Sequence, residues 1–301
     1  MEGTAAALNE MLGPAVDISS ATLETNRHKL DALAFELYKE TTRVLNLGAH
    51  ILDRDASASG GLPRNQAICA GLMVRMTKFM IALMQLTCSD NRSEVALSLT
   101  RSIMESAFNL EFLVCANDDR HFDQFVKFSL GPERELYDRI QANIAKRNGD
   151  VLPIEKRMLA SIDDLCEVSG VEISDVNPKH GNWGGGLKQR LEFLNKEEQY
   201  LYMHRLPSHA VHGTWVDLYK QHLKYDAKGK VFSPDPDWGP TDARAYGPTA
   251  VLVLNAVQPY VKKFFSAIPE TELLLTRIDD LRDRIFAVDS AHEALMGRKQ
   301  P

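Results

Sequence analysis

Apolar residues recur every three or four positions along most of the chain, and hardly any segment alternates apolar with polar residues. This spacing places the apolar side chains on one side of an α-helix. The first such pattern predicts a long helix over about residues 22–54. Pro63 then stands where the first residue of a second helix is expected, and that helix runs to about Thr87. Asp90 or Ser93 is the expected N-cap of a third helix.

The rest of the chain continues the helical pattern with two interruptions. Helices are predicted at about 118–129, 132–147, 153–168, 187–195, 197–223, 245–267 and 270–297. Irregular segments at 170–186 and 226–242 interrupt them, the first with three consecutive glycines and the second with three prolines. The sequence therefore predicts an all-α fold, a multi-helix bundle of about nine or ten helices with no significant sheet.

The domain organisation predicted from this pattern is a single helical domain over residues 1–301. No internal repeat, low-complexity tract or clear linker divides the chain. Its core would be about residues 60–225, with the N-terminal helix at 22–54 and the C-terminal helix pair at 245–297 packed on it.

Composition excludes several classes of protein. A hydrophobic content of 44% with 25% charged residues is ordinary for a globular chain and excludes a disordered or fibrous one. Lys and Arg number 35 against 41 Asp and Glu, for a net charge of −6. This balance argues against a dedicated binder of duplex DNA, because such proteins carry a basic surface, but a local basic patch can still hold RNA.

The cysteines and the apolar stretches indicate a cytoplasmic protein. Cysteines at 69, 88, 115 and 166 form no C-x-x-C motif, which favours reduced core thiols over disulfides or a zinc site. The N-terminus has neither the basic nor the apolar region of a signal peptide, so secretion is not expected. The most apolar stretch, Ala67–Leu86, is interrupted by Arg75 and Lys78, which predicts a buried helix and no membrane partner.

One candidate constellation is a charged pair in the third predicted helix. Arg101 and Glu105 are four residues apart and therefore share one face of that helix, next to apolar neighbours. Charges in such a place need partners, because desolvating them is costly. Two interpretations stay open: a salt bridge that fixes the helix register, or an anion site in which Arg101 binds and Glu105 orients it.

A second constellation is a segment rich in histidine. Three of the nine histidines fall within nine residues, at His204, His209 and His212. Ser208 and His212 share a helix face, and so do Arg205 and His212, seven residues apart. Imidazole near an arginine and a hydroxyl can do acid–base chemistry on a phosphodiester, since histidine titrates near neutrality. The alternative is a polar seam between helices, in which Ser208 caps a helix and His212 donates to a carbonyl.

We expect the third helix and the histidine-rich segment to touch, with their polar side chains in one network. Buried polar groups must be satisfied whether such a network is a site or a feature of the core.

Motifs for metals and common cofactors are missing from the sequence. There is no H-E-x-x-H pair, no second E-x-x-H, no nucleotide-binding glycine motif and no G-x-S-x-G. We therefore expect no metal and no cofactor. The loop residues His180, Trp183 and Trp238 either line a site or plug a groove between helices.

Taken together, the two constellations resemble a mostly bacterial helical family, domain of unknown function 5677. The shared features are R-x-x-x-E, here Arg101 to Glu105, and S-x-x-x-H-G, here Ser208 to Gly213, after a tyrosine-rich stretch that includes Tyr202. The resemblance covers roughly residues 60–225 and implies no established activity.

Arg205 and His212 also fit the R-x(4–6)-H pattern of the HEPN superfamily, small helical proteins of which many are metal-independent ribonucleases in bacterial defence. The resemblance implies that Arg205 holds the scissile phosphate and His212 transfers a proton. It also implies that the sites of two subunits meet in a homodimer and cleave RNA with its own 2′-hydroxyl.

Three hypotheses follow. The first is an HEPN-like endoribonuclease or defence effector that binds RNA as a homodimer. Its catalytic residues would be Arg205 and His212, and its binding or network residues would be Arg101, Glu105, Ser208, His209 and Tyr202. The second is a non-enzymatic helical interaction protein with a structural polar network. The third is a small-molecule binder or metal enzyme that uses His204 and His209.

Overall fold

The structure is a computed structural model that describes residues 9–21, 26–59, 61–87, 93–178, 182–239, 245–265 and 270–297. It confirms the predicted all-α class. Eleven α-helices and a single two-stranded sheet lie wholly within the part of the chain that it describes, slightly more helices than the nine or ten predicted.

The elements follow one another along the chain. The α-helices are α1 (Arg27–Ser59), α2 (Arg64–Thr87), α3 (Ser93–Ala116), α4 (Asp119–Ser129), α5 (Gly131–Lys146), α6 (Pro153–Ser169), α7 (Leu187–Phe193), α8 (Ser208–His212), α9 (Trp215–Gln221), α10 (Tyr246–Phe265) and α11 (Glu270–Gly297). The strands are β1 (Leu223–Asp226) and β2 (Val231–Pro234). Short 3₁₀ turns cover Ile173–Asp175 and Trp183–Gly185, and a π-helical turn covers Leu201–Arg205.

Most long helices begin and end within three residues of their predicted bounds. The exception is α1, which continues to Ser59, past the end predicted near residue 54. Its predicted start at residue 22 lies outside the described residues, as does the candidate cap Asp90. Charged residues at 53–55 do not end the helix, because Asp and Arg are tolerated within a helix.

The chain divides into two compact units, one formed by residues up to Cys115 together with those from Glu198 onward, the other by Ala116–Glu197. A single domain over 1–301 stays a prediction.

In the first unit, α1, α2, α10 and α11 pack into a four-helix bundle. Buried residues lie on most sides of α10, as is typical of a helix at the centre of a bundle. They include Leu252, Val253, Leu254, Ala256, Val257, Tyr260 and Val261.

A buried charge cluster joins the ends of this bundle to the N-terminal segment. Glu40 is fully buried and accepts two hydrogen bonds of 2.7 Å from Arg284, while Arg277 Nε lies 2.7 Å from its Oε1. The backbone N–H of Val16 donates to the same carboxylate, at 3.0 Å. Arg277 also donates to the carbonyl of Gly13, at 2.9 Å. These bonds compensate the charges that the bundle takes out of water.

The second unit consists of α4 to α7 and the 3₁₀ turns. Asp118 caps α4 through the N–H of Arg120, and Gly170 ends α6 in the left-handed conformation, with φ of 63°. Trp183 is buried between Arg190, whose guanidinium carbon lies 3.9 Å from the ring centroid, and Phe125, whose ring centroid lies 5.0 Å away.

The structure corrects the prediction in one region of the first unit. Residues 223–234 form an antiparallel hairpin with Tyr225 opposite Phe232, where the end of a helix and an irregular segment were expected. The alternation of apolar and polar residues along these strands is weak. The strands are short and almost wholly exposed, so neither has a buried face that requires apolar residues.

Two other expectations concern thiols and the apolar helix α2. Cys69 is buried as predicted, but Cys115 is exposed; Cys88 lies outside the described residues. Among the described helices, α2 is the one long and apolar enough to cross a membrane by length and composition. Core helices pass the same test, and Met73 and Met76 of α2 are fully buried in the bundle.

Candidate functional site

The helix predicted over 197–223, with Pro207 as a possible start or bend, is interrupted in the histidine-rich segment at Pro207 and again at Gly213. The segment consists of the π-helical turn Leu201–Arg205, then α8, then α9. Pro207 causes the first break, since it has no N–H to donate and its ring disfavours a regular preceding turn. The N–H of Leu206 accordingly reaches the carbonyl of Leu201, five residues back, at 3.0 Å. Gly213, with φ of 56°, ends α8.

This segment is anchored to α3, so the predicted contact between the two is confirmed. Arg101 Nη2 lies 3.0 Å from His204 Nε2, and Ser98 Oγ donates to the carbonyl of Ala210 at 3.5 Å. Because an arginine can only donate, Nε2 of His204 accepts, and the proton of the neutral ring is on Nδ1. The imidazole also stacks on Tyr200, with 5.3 Å between the ring centroids.

The predicted partners of Arg101 are distributed differently. Glu105 is exposed and forms no ion pair with Arg101, which is half-buried against His204 instead. Ser208 does not cap α8; its hydroxyl donates to the carbonyl of His204 at 2.6 Å. The structure therefore joins Arg101 to Ser208 through His204 and leaves Glu105 outside.

The remaining predicted residues face solvent. Arg205, His212 and Tyr202 are exposed. None of their side chains forms a hydrogen bond or ion pair within the described residues. His209 is half-buried, with its Nδ1 at 2.6 Å from Thr214 Oγ1. Arg205 and His212 therefore stand on either side of the bend at Pro207, with their polar groups available to a ligand.

Four aromatic side chains follow directly after His212, on α9 and the hairpin; we call Trp215, Tyr219, Tyr225 and Phe232 the aromatic cluster. The ring centroid of Phe232 lies 5.4 Å from Trp215, 6.4 Å from Tyr219 and 4.7 Å from Tyr225. Trp215 and Tyr219 stack at 6.1 Å on the same face of α9. Aromatic pairs at these separations attract each other, so the rings hold the helix and the hairpin together.

The net charge of residues 201–239 is slightly positive, whereas that of the whole chain is negative. Five Lys and Arg residues stand against four Asp residues, in a chain of net charge −6. Asp235 and Asp237 both bind Lys224, at 2.8 and 2.9 Å. Hydrogen bonds from Lys224 keep the pKa of Asp235 below its ordinary value, and both carboxylates raise the pKa of Lys224.

The other two carboxylates of this segment are also engaged. Asp217 is buried, 3.6 Å from His222 Nε2, and Asp226 accepts the backbone N–H groups of Lys228 and Gly229. Lys220, Lys228 and Lys230 are exposed, and within the described chain no ion pair involves them. The described part of segment 201–239 therefore presents three exposed lysines without an ion pair, and its formal net charge is +1.

Sequence reasoning missed the contributions of His204 and of the aromatic cluster. His204 was considered only as a metal ligand, because its hydrogen bond to Arg101 depends on the packing of two distant segments. A signal for the cluster does exist: Trp215 and Tyr219 are spaced i, i+4, and Leu223 to Asp226 alternates apolar and polar residues.

A pocket of about 270 Å³ lies in the second unit. Trp183 forms part of its wall, with Phe128 and the side chains of Gln124 and Asn182. Trp238, the other loop tryptophan singled out, is exposed in the first unit, and His180 lies outside the described residues. Among the described residues, no group of three His, Cys, Asp or Glu side chains is arranged to hold a metal ion.

Comparison with known families identifies one match. Residues 66–230, more than half of the chain, match the family described as Family of unknown function (DUF5677), and the chain belongs to this family. The match contains α3, the histidine-rich segment and the first strand and turn of the hairpin, and it ends before β2. No curated protein and no solved structure matches the chain.

Proposed function

We propose that this chain is a metal-independent endoribonuclease of the HEPN type, with Arg205 and His212 as its catalytic residues. Support comes from the exposure of both side chains on one anchored segment, where neither has a partner within the described residues. An arginine and a histidine that hold segments of the fold together are hydrogen-bonded, as the half-buried Arg101 and His204 are to each other. The HEPN resemblance adds a homodimer and a role in bacterial defence to the proposal, and the cysteine pattern adds a cytoplasmic location.

The chemistry uses the 2′-hydroxyl of the RNA as nucleophile. His212 accepts the 2′-hydroxyl proton while the 2′-oxygen forms a bond to phosphorus and the bond from phosphorus to the 5′-oxygen breaks. Arg205 binds the phosphate oxygens, whose negative charge increases in the transition state. The products are a 2′,3′-cyclic phosphate and a free 5′-hydroxyl, so no water is consumed.

The leaving 5′-oxygen needs a proton, and we assign its donation to His209. His209 and His212 are three residues apart on α8 and therefore lie on the same side. Thr214 Oγ1 holds Nδ1 of His209, which leaves Nε2 as the proton donor.

The test is cleavage of a labelled RNA by the full chain in the presence of EDTA. Replacing His212 with Ala or Arg205 with Ala should lower the rate at least about 100-fold, the contribution typical of positioned acid–base or charged groups. His28→Ala, which removes another exposed histidine, serves as the matched control and should cleave at the wild-type rate. A DNA strand of the same sequence should remain intact, because it has no 2′-hydroxyl.

Wild-type protein that leaves RNA intact, or His212→Ala protein that cleaves as fast as wild type, would refute the ribonuclease proposal. The second candidate function, a non-enzymatic interaction protein, would then be favoured by the exposed apolar residues Leu201, Leu206 and Val211 on the same segment.

A further inference from the structure

The aromatic cluster is unusually exposed for side chains of its size. Trp215 is 58% exposed, Tyr219 and Phe232 are each 46% exposed, and Tyr225 is 45% exposed. Large aromatic side chains are normally buried, because burying each one stabilises the fold by about 1.5–3 kcal/mol. A group of four that stay half in water therefore calls for a ligand or partner.

The cluster is also held in a defined arrangement before anything binds. Tyr225 and Phe232 are opposite each other in the hairpin register, and the Phe232 ring stands edge-on to Trp215, at 80° between the ring planes. The salt bridges of Lys224 with Asp235 and Asp237 fasten the end of the hairpin. A ligand that meets these rings does not have to order them first, which preserves affinity.

The charges around the cluster favour an anionic ligand. Lys220 lies on α9 beside Tyr219, and Lys228 and Lys230 lie in the turn of the hairpin. The four carboxylates of residues 201–239 are engaged by Lys224, His222 or backbone N–H groups, as described above. Exposed aromatic faces, together with lysines nearby in sequence that form no ion pair within the described residues, suit the bases and phosphates of a nucleic acid strand.

We propose that the aromatic cluster is a stacking surface for the bases of single-stranded RNA, which leads the strand to Arg205 and His212. This inference rests on the proposed function and names its substrate as an unpaired strand. In an A-form duplex the base faces are stacked on each other and out of reach, whereas an unpaired base can lie on an aromatic ring. Lys220, Lys228 and Lys230 would contact the phosphates between those bases.

The experiment measures the affinity of the full chain for a fluorescein-labelled 2′-O-methyl RNA of about 12 nucleotides, a length that spans several stacked bases. This probe cannot be cleaved, since its 2′-oxygen carries no proton. Trp215→Ala should weaken binding about tenfold or more, the loss of one stacked base, and Trp215→Phe should recover most of it. Trp238→Ala is the matched control, since Trp238 is exposed but outside the cluster, and its affinity should equal wild type.

In the binding experiment, two results would overturn the inference: equal affinity for the single strand and for a duplex of the same length, or unchanged binding in Trp215→Ala. Sedimentation of both proteins tests a protein partner directly, because a dimer that Trp215→Ala dissociates would make the cluster an interface between copies and overturn the RNA assignment.

Failure here can be told apart from failure of the proposed function. Probe binding that depends on Trp215, with no cleavage of ordinary RNA, would refute the nuclease and support the stacking surface. Cleavage that depends on His212, with wild-type KM in Trp215→Ala, would support the nuclease and refute the stacking surface.

Discussion

Several charged and aromatic residues are buried in the four-helix bundle, whereas residues of the same types are exposed in the segment 201–239. In the bundle, Glu40 is fully buried and its charge is matched by Arg277 and Arg284 at 2.7 Å. In the segment, Arg205 and His212 are exposed and have no partner within the described chain. Aromatic rings follow the same division, since Tyr38 and Tyr260 are buried in the bundle while Trp215 and Tyr219 are half exposed.

This difference separates charges that hold the fold from charges that are available to a ligand. A buried carboxylate is stable only with its partners, so its loss should show in the free energy of unfolding. Exposed side chains contribute little to stability, so their loss should show in binding or rate. Arg101 and His204 lie between the two classes, because they join the segment to α3 and are half-buried.

The largest effect on stability is expected from Glu40→Gln, which leaves two arginines facing an uncharged group in the bundle. Burial by itself would raise the pKa of Glu40, but hydrogen bonds from Arg284 and Val16 and the charges of Arg284 and Arg277 lower it. We expect urea unfolding to show a loss of about 3–5 kcal/mol at neutral pH.

The same substitution has a pH dependence of known sign. Because the pKa of Glu40 is lowered in the folded state, its contribution is present at neutral pH and is lost as the pH falls through the folded pKa. The difference between wild type and Glu40→Gln should therefore shrink in acid. Glu36→Gln is the control, since Glu36 pairs with Lys39 at the surface, and should change stability by less than about 1 kcal/mol. A loss of similar size in both variants would contradict the division between the two regions.

A smaller effect is expected where the two regions meet. Arg101→Met keeps the aliphatic stem but removes the bond to His204, and should cost about 1 kcal/mol in the free energy of unfolding. If Arg101 only positions the segment, kcat for RNA cleavage should fall while affinity for the 2′-O-methyl RNA stays at the wild-type value.

Glu105→Gln, on the same helix, is the matched control and should leave both stability and cleavage unchanged, because Glu105 is exposed and does not pair with Arg101. A lower affinity of Arg101→Met for the RNA would instead make Arg101 an anion-binding residue. That outcome would move Arg101 from the structural class into the ligand-binding one.

The smallest effect concerns Asp289 in α11, a carboxyl of the bundle for which the described residues provide no hydrogen bond or salt bridge. Burial raises the pKa of Asp289 to about 6, with His292 opposing the shift and Glu293 adding to it. The folded state therefore keeps the proton above the ordinary value of 3.8, so stability from this group falls as the pH rises from about 4 to 6.

Asp289→Asn removes this titration. Because the carboxyl is only partly buried, we expect the variant to unfold about 1 kcal/mol less readily than wild type at pH 7, with little difference at pH 4. Urea unfolding at the two pH values measures both. A difference of the same size at both pH values would mean that Asp289 does not titrate in this range.

Sequence pattern alone was sufficient for the helices of the bundle. The stripes in α2, α10 and α11 led to bounds within about three residues of the structure, because amphipathic spacing and a proline or a cap mark a helix locally. The sequence pattern was not sufficient to predict the secondary structure of residues 201–234. There Pro207 and Gly213 divide a helical pattern into three short turns, and the hairpin has no buried face to impose a strong alternation.

The candidate site was predicted in part for the same reason. The contact between α3 and the histidine-rich segment was expected, but its chemistry was assigned to Arg101 and Glu105. Two charges four residues apart on a helix can pair locally, and nothing in a single sequence shows that Arg101 turns instead to His204, which is 103 residues away.

Periodicity, composition and local motifs decided the helical class of this protein, the places of its long helices and its family, since all of these are properties of neighbouring residues. Tertiary packing alone decided that Glu40 meets Arg277 and Arg284, that His204 and not Glu105 satisfies Arg101, and that Arg205 and His212 remain open to solvent. The reason is physical: burial, desolvation and the choice of a partner depend on which distant segments the fold brings together.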